Sequence, residues 1–230
     1  MKSLVIIPAY NEEKSIEKTV ADIHTNAPDF DYIIVNDCST DGTRALCEEH
    51  HLNVLHLPVN LGIGGAVQTG YAYADKNGYD IAVQFDGDGQ HDAAFLQKMQ
   101  AYLVQEQADM VIGSRFIRKE GFQSSGIRRI GIQYFSNLIC FLTGNRITDP
   151  TSGMRMANRK VIQLFMESYP KDYPEPESVV TILKKEMKVM EYPVIMRERT
   201  EGTSSISPVK SVYYMIKVTL AIFMEKIRRV

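Results

Sequence analysis

Between Val83 and Asp92 the chain reads VQFDGDGQHD. An apolar run that looks like a buried strand ends in Asp86 and Asp88, with Asp92 close behind. Asp and Gly are favoured wherever a chain reverses, so a lone DG pair reads first as a surface turn. Here the acids alternate, so both can lean toward one point, and Gly87 between them leaves room for a large ligand to approach the backbone. Two hard carboxylates at a strand end suit Mg²⁺ or Mn²⁺ when phosphate and water take the other positions. His91, a lone histidine beside the acids, reads as a neighbour of such a site or as solvent-facing.

What positions these acids is a repeated order of elements. Leu4–Pro8 reads as a buried strand, with Asn11 as N-cap of a helix carrying Ile16, Val20 and Ile23. Tyr32–Val35 is a second strand, followed by the dense loop signal NDCSTDGT. A helix with Leu46 leads to a third strand, NVLHLP at 53–58, then to a glycine-rich stretch that turns helical over 60–78. IAVQF (81–85) and MVIGS (110–114) are strands four and five, separated by a helix with Phe95, Met99 and Leu103. Strands alternating with helices imply an open, mostly parallel α/β sheet flanked by helices. Ligands bind such sheets at the carboxyl ends of the strands. Pro8–Glu12, Asn36–Asp41, Asn60–Gly65 and Asp86–Asp88 all follow strands, so one rim would gather four polar or glycine-rich loops.

Composition narrows the class. The chain has 230 residues, 44% hydrophobic and 23% charged, with a net charge of −2, which fits one soluble domain and argues against nucleic acid as a partner. Charge is uneven. Arg115, Arg118, Lys119, Arg128 and Arg129 face only Glu120 over 115–130, and seven basic residues face three Glu over 197–230. Such patches suit an anionic ligand or membrane surface. Cys38, Cys47 and Cys140 form no disulfide framework or zinc pattern and point to a reducing compartment. The N-terminal MKSLVIIPAYNEE does not read as a signal peptide, and no run reaches the ~20 apolar residues of a membrane span. The 11 Met read as packing residues.

IIPAYNEE, VNDCSTDGT, NLGIGGA and VQFDGDGQH, with TDPTSGMR (148–155) and RTEGTSS (199–205), resemble in order and spacing the family 2 glycosyltransferases of GT-A fold. Within that family the chain looks most like the dolichyl- and undecaprenyl-phosphate sugar transferases. The resemblance implies that Pro8, Tyr10 and Glu12 form the first nucleotide-contacting loop and that Asp37 reads the base. Asn36 stands where many members have a second Asp. It also implies that Asp86 and Asp88 hold Mg²⁺ or Mn²⁺ against the donor diphosphate, with Gln90 as a third ligand, and that Gly62 and Gly64 allow close approach to the donor. A divalent cation then stabilises the leaving diphosphate as a Lewis acid.

For the acceptor, the resemblance assigns Arg115, Arg128 and Arg199 to a lipid phosphate, for which bidentate guanidinium geometry is apt. Arg118, Lys119 and Arg129 read as surface charge. A phosphate monoester is already ionised near pH 7, so in-line displacement with inversion needs orientation more than a base. If a base is used, the candidates are Glu177 and Glu175 in DYPEPES or Asp149 in TDPTSG, although the prolines more simply mark a rigid loop.

The division expected is a catalytic domain at 1–208, with a nucleotide-sugar half to about 115 and an acceptor half from 116. An amphipathic helix at 209–230 follows, meeting a membrane, a membrane-protein partner or a second copy. Residues 127–144 could lie in the same interface, with ordinary core helices as the alternative. The expected place is cytoplasmic, on the inner membrane face. The function expected is hexose transfer from a UDP- or GDP-sugar to a polyprenyl phosphate. Two rivals are transfer to a sugar hydroxyl of a growing polysaccharide, which needs a carboxylate base, and a non-catalytic nucleotide-binding scaffold, which would bind nucleotide sugar even as Asp88→Asn.

Overall fold

A computed structural model of the chain describes residues 1–121, 126–197 and 208–227. Its sheet has seven strands in the order β3-β2-β1-β4-β6-β5-β7. These are β1 (Ser3–Ala9), β2 (Phe30–Asn36), β3 (Val54–His56), β4 (Ile81–Gln84), β5 (Met110–Ser114), β6 (Arg155–Asn158) and β7 (Val189–Pro193). Every pairing is parallel except those of β6, which runs antiparallel to β4 and β5. The helices are α1 (Ile16–Asn26), α2 (Thr43–Glu49), α3 (Gly62–Lys76), α4 (Leu96–Gln105), α5 (Gly126–Thr143), α6 (Arg159–Glu167), α7 (Pro174–Lys184) and α8 (Pro208–Ile227).

A strand covered on both faces is apolar throughout, as SLVIIPA is, and its alternation sorts side chains between two cores. Leu4 and Ile6 pack with Ala66, Val67 and Tyr71 of α3, Phe135 and Ile139 of α5, and residues of α6, α7 and α8. Val5 and Ile7 pack on the other face with Ile16, Val20 and Ile23 of α1 and Leu96 and Met99 of α4. The result is a helix–sheet–helix sandwich. The five strands read from sequence are all present. Asn11 is not the N-cap of α1, which starts at Ile16. Instead it takes φ +59 in the preceding turn, and its Oδ1 accepts from Thr40 N–H at 2.8 Å.

Strands β6 and β7 escape an apolar-run search because polar residues, the buried Arg155 and the half-buried Glu191, interrupt it. Arg155 stands opposite both Gln84 and Ile112, and Glu191 of β7 reaches back to the Thr148–Asp149 turn. Through β6, residues from beyond 115 lie in the middle of the sheet.

The two basic-apolar stretches are both two-faced helices. In α5, Ile132, Phe135 and Ile139 are buried while Ile130, Tyr134 and Phe141 are exposed. In α8, Val218 and Ile222 join the core while Tyr213, Ile216, Leu220, Phe223 and Met224 face outward. Tyr134 Oη and Thr219 Oγ1, 3.2 Å apart, tie the two helices together. No helix among the described residues is long and apolar enough to cross a membrane.

Candidate active site

The carboxyl ends of β1, β2, β3 and β4 bring the four loops onto one rim. The first two are laced together. Asn11 N–H donates to Ser39 Oγ at 3.0 Å, Glu12 N–H to Thr43 Oγ1 at 2.9 Å, and Gly42 N–H to Glu13 Oε2 at 2.7 Å. Asn11 and Cys38 both adopt left-handed backbone, at φ +59 and +56. Such conformations cost of order 1–3 kcal/mol and collect where loop shape is over-determined by its surroundings. Pro8 is buried at the end of β1, Tyr10 is half exposed on the rim, and Glu12 takes a hydrogen bond from Ser15 Oγ.

Asp37 is buried, and its carboxylate already has a partner: Oδ1 accepts from Leu61 N–H at 2.7 Å, while its carbonyl accepts from Asn60 Nδ2. It therefore joins the second loop to the third. Asn36, the departure from the family pattern, is spent the same way. Its Nδ2 lies 2.9 Å from His56 Nδ1, and Oδ1 accepts from Ser39 N–H.

Three glycines act differently from the sequence expectation. A Cβ on Gly64 would sit 2.1 Å from the Pro170 carbonyl, and its N–H donates to the Lys171 carbonyl at 3.0 Å. Its missing side chain lets α3 abut the 170–171 loop and is not turned toward a donor. Gly62 takes φ +75, a turn requirement. A Cβ on Gly87 would meet the Pro8 carbonyl at 3.2 Å and Ile16, so Gly87 faces the end of β1. The room beside the acids comes from Gly153 of TDPTSGMR, where a Cβ would fall 2.2 Å from Asp86 Oδ2.

Asp86 is about one-third exposed and held from several sides. Gln84 Nε2 donates to Oδ1 at 3.3 Å, and His91 Nε2 stands 3.2 Å from Oδ2. Asp88 Oδ1 accepts from Gln90 N–H at 3.0 Å. Gln90, expected as a third metal ligand, is engaged with the segment that follows β7. Its carbonyl accepts from Arg197 N–H at 2.8 Å, and its amide points at the Arg197 carbonyl, 3.5 Å away. Among the described residues no three His, Cys, Asp or Glu form a metal-holding group. Asp86 and Asp88 are hard oxygen donors at an open rim, which fits a Mg²⁺ or Mn²⁺ whose other positions come from ligand phosphate and water.

The acceptor residues need correction. Arg115 is buried and grips Asp149 with both ends of its fork, Nε to Oδ2 at 2.6 Å and Nη2 to Oδ1 at 2.7 Å. Asp149 is wholly buried, and Glu191 accepts from the Thr148 and Asp149 amides at 2.7 and 2.8 Å. Burial raises the Glu191 pKa, and hydrogen bonds from Thr148 and Asp149 oppose the rise. Arg115 and Asp149 thus build the turn that carries Gly153. Both side chains are buried and are spent on each other. Arg199 lies outside the described residues, but Arg197, two positions earlier, runs along the Gln90 loop and pairs with Asp22 and Asp92.

Glu177 and Glu175 separate in space. Pro174 begins α7, so PEPE is a helix start whose acids complement the N-terminal dipole, rather than a rigid loop. Glu177 lines a roughly 510 Å³ groove with Lys184 and Glu225, and its pKa is raised by burial and by Glu225 and Asp172. It stands apart from the rim acids. Glu175 instead lies beside Asp86. Burial raises its pKa and Asp86 adds to the rise, while Arg155 and the Gln84 amide oppose it. Tyr214 of α8 feels Glu175, Arg128 and Arg155 together, so the exposed Arg128 looks onto this same side.

Arg155, unremarked in the sequence, is wholly buried beneath the acids. It donates to the Ser152, Pro150 and Glu175 carbonyls and to Ser178 Oγ. It pins the Gly153 turn to the start of α7. Its burial is set by β6 lying between β4 and β5, so no spacing in the sequence announces it.

Because the Glu175 pKa is raised, its native-state contribution is complete below the ordinary value of 4.5 and is lost as pH rises through the raised one. Glu175→Gln is expected to gain stability relative to the wild type as pH rises above 4.5, read by denaturant melts across the pH range. A gap that shrinks with pH would contradict the placement.

Comparison with known proteins identifies relatives over most of the chain. The chain is 30% identical over 216 residues to a polyprenol monophosphomannose synthase of Mycolicibacterium smegmatis, covering 90% of this chain and 81% of that protein. It is 31% identical over 210 residues to a UDP-N-acetylglucosamine–dolichyl-phosphate N-acetylglucosaminyltransferase of Methanococcus voltae, covering 83% of each. The fold is shared with glucosyl-3-phosphoglycerate synthase of Mycobacterium tuberculosis, solved with Mn²⁺, UDP and phosphoglyceric acid. That match has TM-score 0.71 and 18% identity over 98% of this chain and 78% of that one. The "Glycosyl transferase family 2" model matches residues 4–165, and with it the rim acids and the turn that frames them. The chain belongs to that family and is a glycosyltransferase.

Proposed function

We propose that the enzyme moves a hexose from a UDP- or GDP-sugar to a polyprenyl phosphate, with inversion. Asp86 and Asp88 hold Mg²⁺ or Mn²⁺, which when bound supplies Lewis-acid stabilisation of the leaving diphosphate. The Pro8–Glu12 and Asp37 loops carry the nucleotide, and Arg128 and Arg199 orient the acceptor phosphate for in-line attack. In this reading 1–115 serves mainly the donor and 116–208 the acceptor. The observation that carries it is the meeting of four strand-end loops around Asp86 and Asp88, with Gly153 clearing space beside them. Incubation with Mn²⁺, a panel of UDP- and GDP-sugars and undecaprenyl phosphate is expected to yield a lipid-linked hexose by mass spectrometry. No product across the panel overturns the reading.

Glu175 supports a second reading, since a half-buried carboxylate with a raised pKa beside the donor acids is suited to deprotonate a sugar hydroxyl. The two separate on Glu175→Gln. A general base is worth about 10²–10⁴ in rate. With a phosphate acceptor the loss is expected to stay under about tenfold, because no proton has to leave.

The outward faces of α5 and α8 favour an anionic membrane surface as the acceptor's source. Ile130, Tyr134, Phe141, Ile216, Leu220 and Phe223 are exposed, and Arg128 and Arg129 flank them. Deleting 209–230 would open the core at Val218 and Ile222, so the better test is Leu220→Glu with Phe223→Glu. Each side chain is worth about 1.5 kcal/mol or more when buried, so binding to anionic liposomes should fall about 100-fold. Unchanged sedimentation with the vesicles removes the membrane from the proposal.

A further inference from the structure

Asp86 is supported from the protein interior by His91 and by Gln84, and behind Gln84 stands Tyr169. Gln84 is wholly buried, and its Nε2 donates to Asp86 Oδ1 at 3.3 Å. Its Oε1 accepts from the Tyr169 hydroxyl, also at 3.3 Å. An amide can be turned end for end at almost no steric cost, so its orientation is set by its partners. Turned the wrong way, Gln84 would present an oxygen to the carboxylate. The Tyr169 hydroxyl, as donor to Oε1, stabilises the orientation that presents N–H to Asp86, and the Glu175 carboxylate beside the amide favours the same orientation.

Tyr169 is itself held in place. Its ring packs edge-on to Phe165 at 4.8 Å between centroids and tilted on Tyr71 at 5.7 Å. Tyr71 is a useful contrast, because its hydroxyl is buried and has no hydrogen-bond partner among the described residues. Two tyrosines in one aromatic cluster thus differ in one respect: only Tyr169 is connected to the rim.

We propose that Tyr169, acting through Gln84, is a positioning residue that aims the Asp86 carboxylate at the divalent cation. The inference rests on the proposed metal role of Asp86. Partners behind a metal-holding carboxylate typically matter by about 10–100-fold in metal affinity.

The test is Mn²⁺ binding to the full chain in the presence of UDP, followed by the electron paramagnetic resonance signal of free Mn²⁺, with melting curves for each variant. Tyr169→Phe is expected to weaken Mn²⁺ about tenfold and Gln84→Met by at least as much. The double variant should be no weaker than Gln84→Met alone, because the Tyr169 hydroxyl is hydrogen-bonded to Asp86 through Gln84. Tyr71→Phe, a change of the same size in the same cluster, should bind as the wild type does. Wild-type affinity in a folded Tyr169→Phe overturns the inference, as do effects that multiply in the double variant. An equal loss in Tyr71→Phe also overturns it, since packing alone would then suffice. If the wild type with UDP takes up no Mn²⁺, the metal role of Asp86 fails and this inference falls with it. Mn²⁺ uptake that ignores Tyr169→Phe removes this inference alone.

Discussion

Replacing Asp88 by Asn is expected to lower kcat for sugar transfer about 10²–10³-fold, and Asp86→Ala with Asp88→Ala to abolish it. The leaving diphosphate gains charge as its bond to the sugar breaks, and a cation on its oxygens is worth several kcal/mol in that transition state. Each 1.36 kcal/mol is tenfold in rate, so losing about 3–4 kcal/mol gives the stated range. The effect should fall on kcat as well as on metal affinity, because the interaction strengthens as charge develops. Chelation by EDTA should reproduce it in the wild type, and added Mn²⁺ should restore activity there but not in the double alanine variant. Asp88→Asn, at the rim, should change the melting temperature little, whereas Asp86→Ala also takes a partner from the buried Gln84 and His91 and should lower it by the equivalent of about 1–3 kcal/mol. Full turnover by the double variant would remove the central premise. Nucleotide-sugar binding with no transfer by the wild type would favour the scaffold reading.

The second large effect concerns stability. Arg115→Ala leaves the wholly buried Asp149 carboxylate without its bidentate partner. Breaking a buried pair from one side costs about 3–5 kcal/mol, because the remaining charge is stranded out of water. Against a total of about 5–15 kcal/mol that is a large share. The measurement is a urea melt, with the midpoint shifted down and the slope unchanged. Arg115→Met with Asp149→Leu should recover much of the loss, since no charge is then left buried. The result discriminates between two roles for Arg115. An acceptor-phosphate ligand would raise the acceptor KM and spare stability. The anchor of the Thr148–Gly153 turn does the reverse at permissive temperature.

The aspartates and the five parallel strands were legible because they are local signals. A buried strand writes itself as an apolar run, and a rim acid as an interruption at its end. Glu177 and Glu175 show where locality fails. They are two residues apart in PEPE, yet α7 turns Glu175 toward Asp86 and Glu177 toward Glu225, because successive helical positions face different directions. Arg115 looked like a ligand because its partner Asp149 is 34 residues away, and no spacing rule links them. Gly87 and Gly153 traded roles for the same reason. Which glycine faces Asp86 depends on β6 lying antiparallel beside β4.

By itself, then, the order of residues determined the five parallel strands, the rim and the pair of acids proposed to hold a cation, all of which follow from periodicity and from what ends each strand. Tertiary structure alone decided which carboxylate stands beside that pair, which arginine is buried and what supports Asp86 from behind. Those answers depend on side chains far apart in the chain, brought together by strands that enter the sheet out of sequence order.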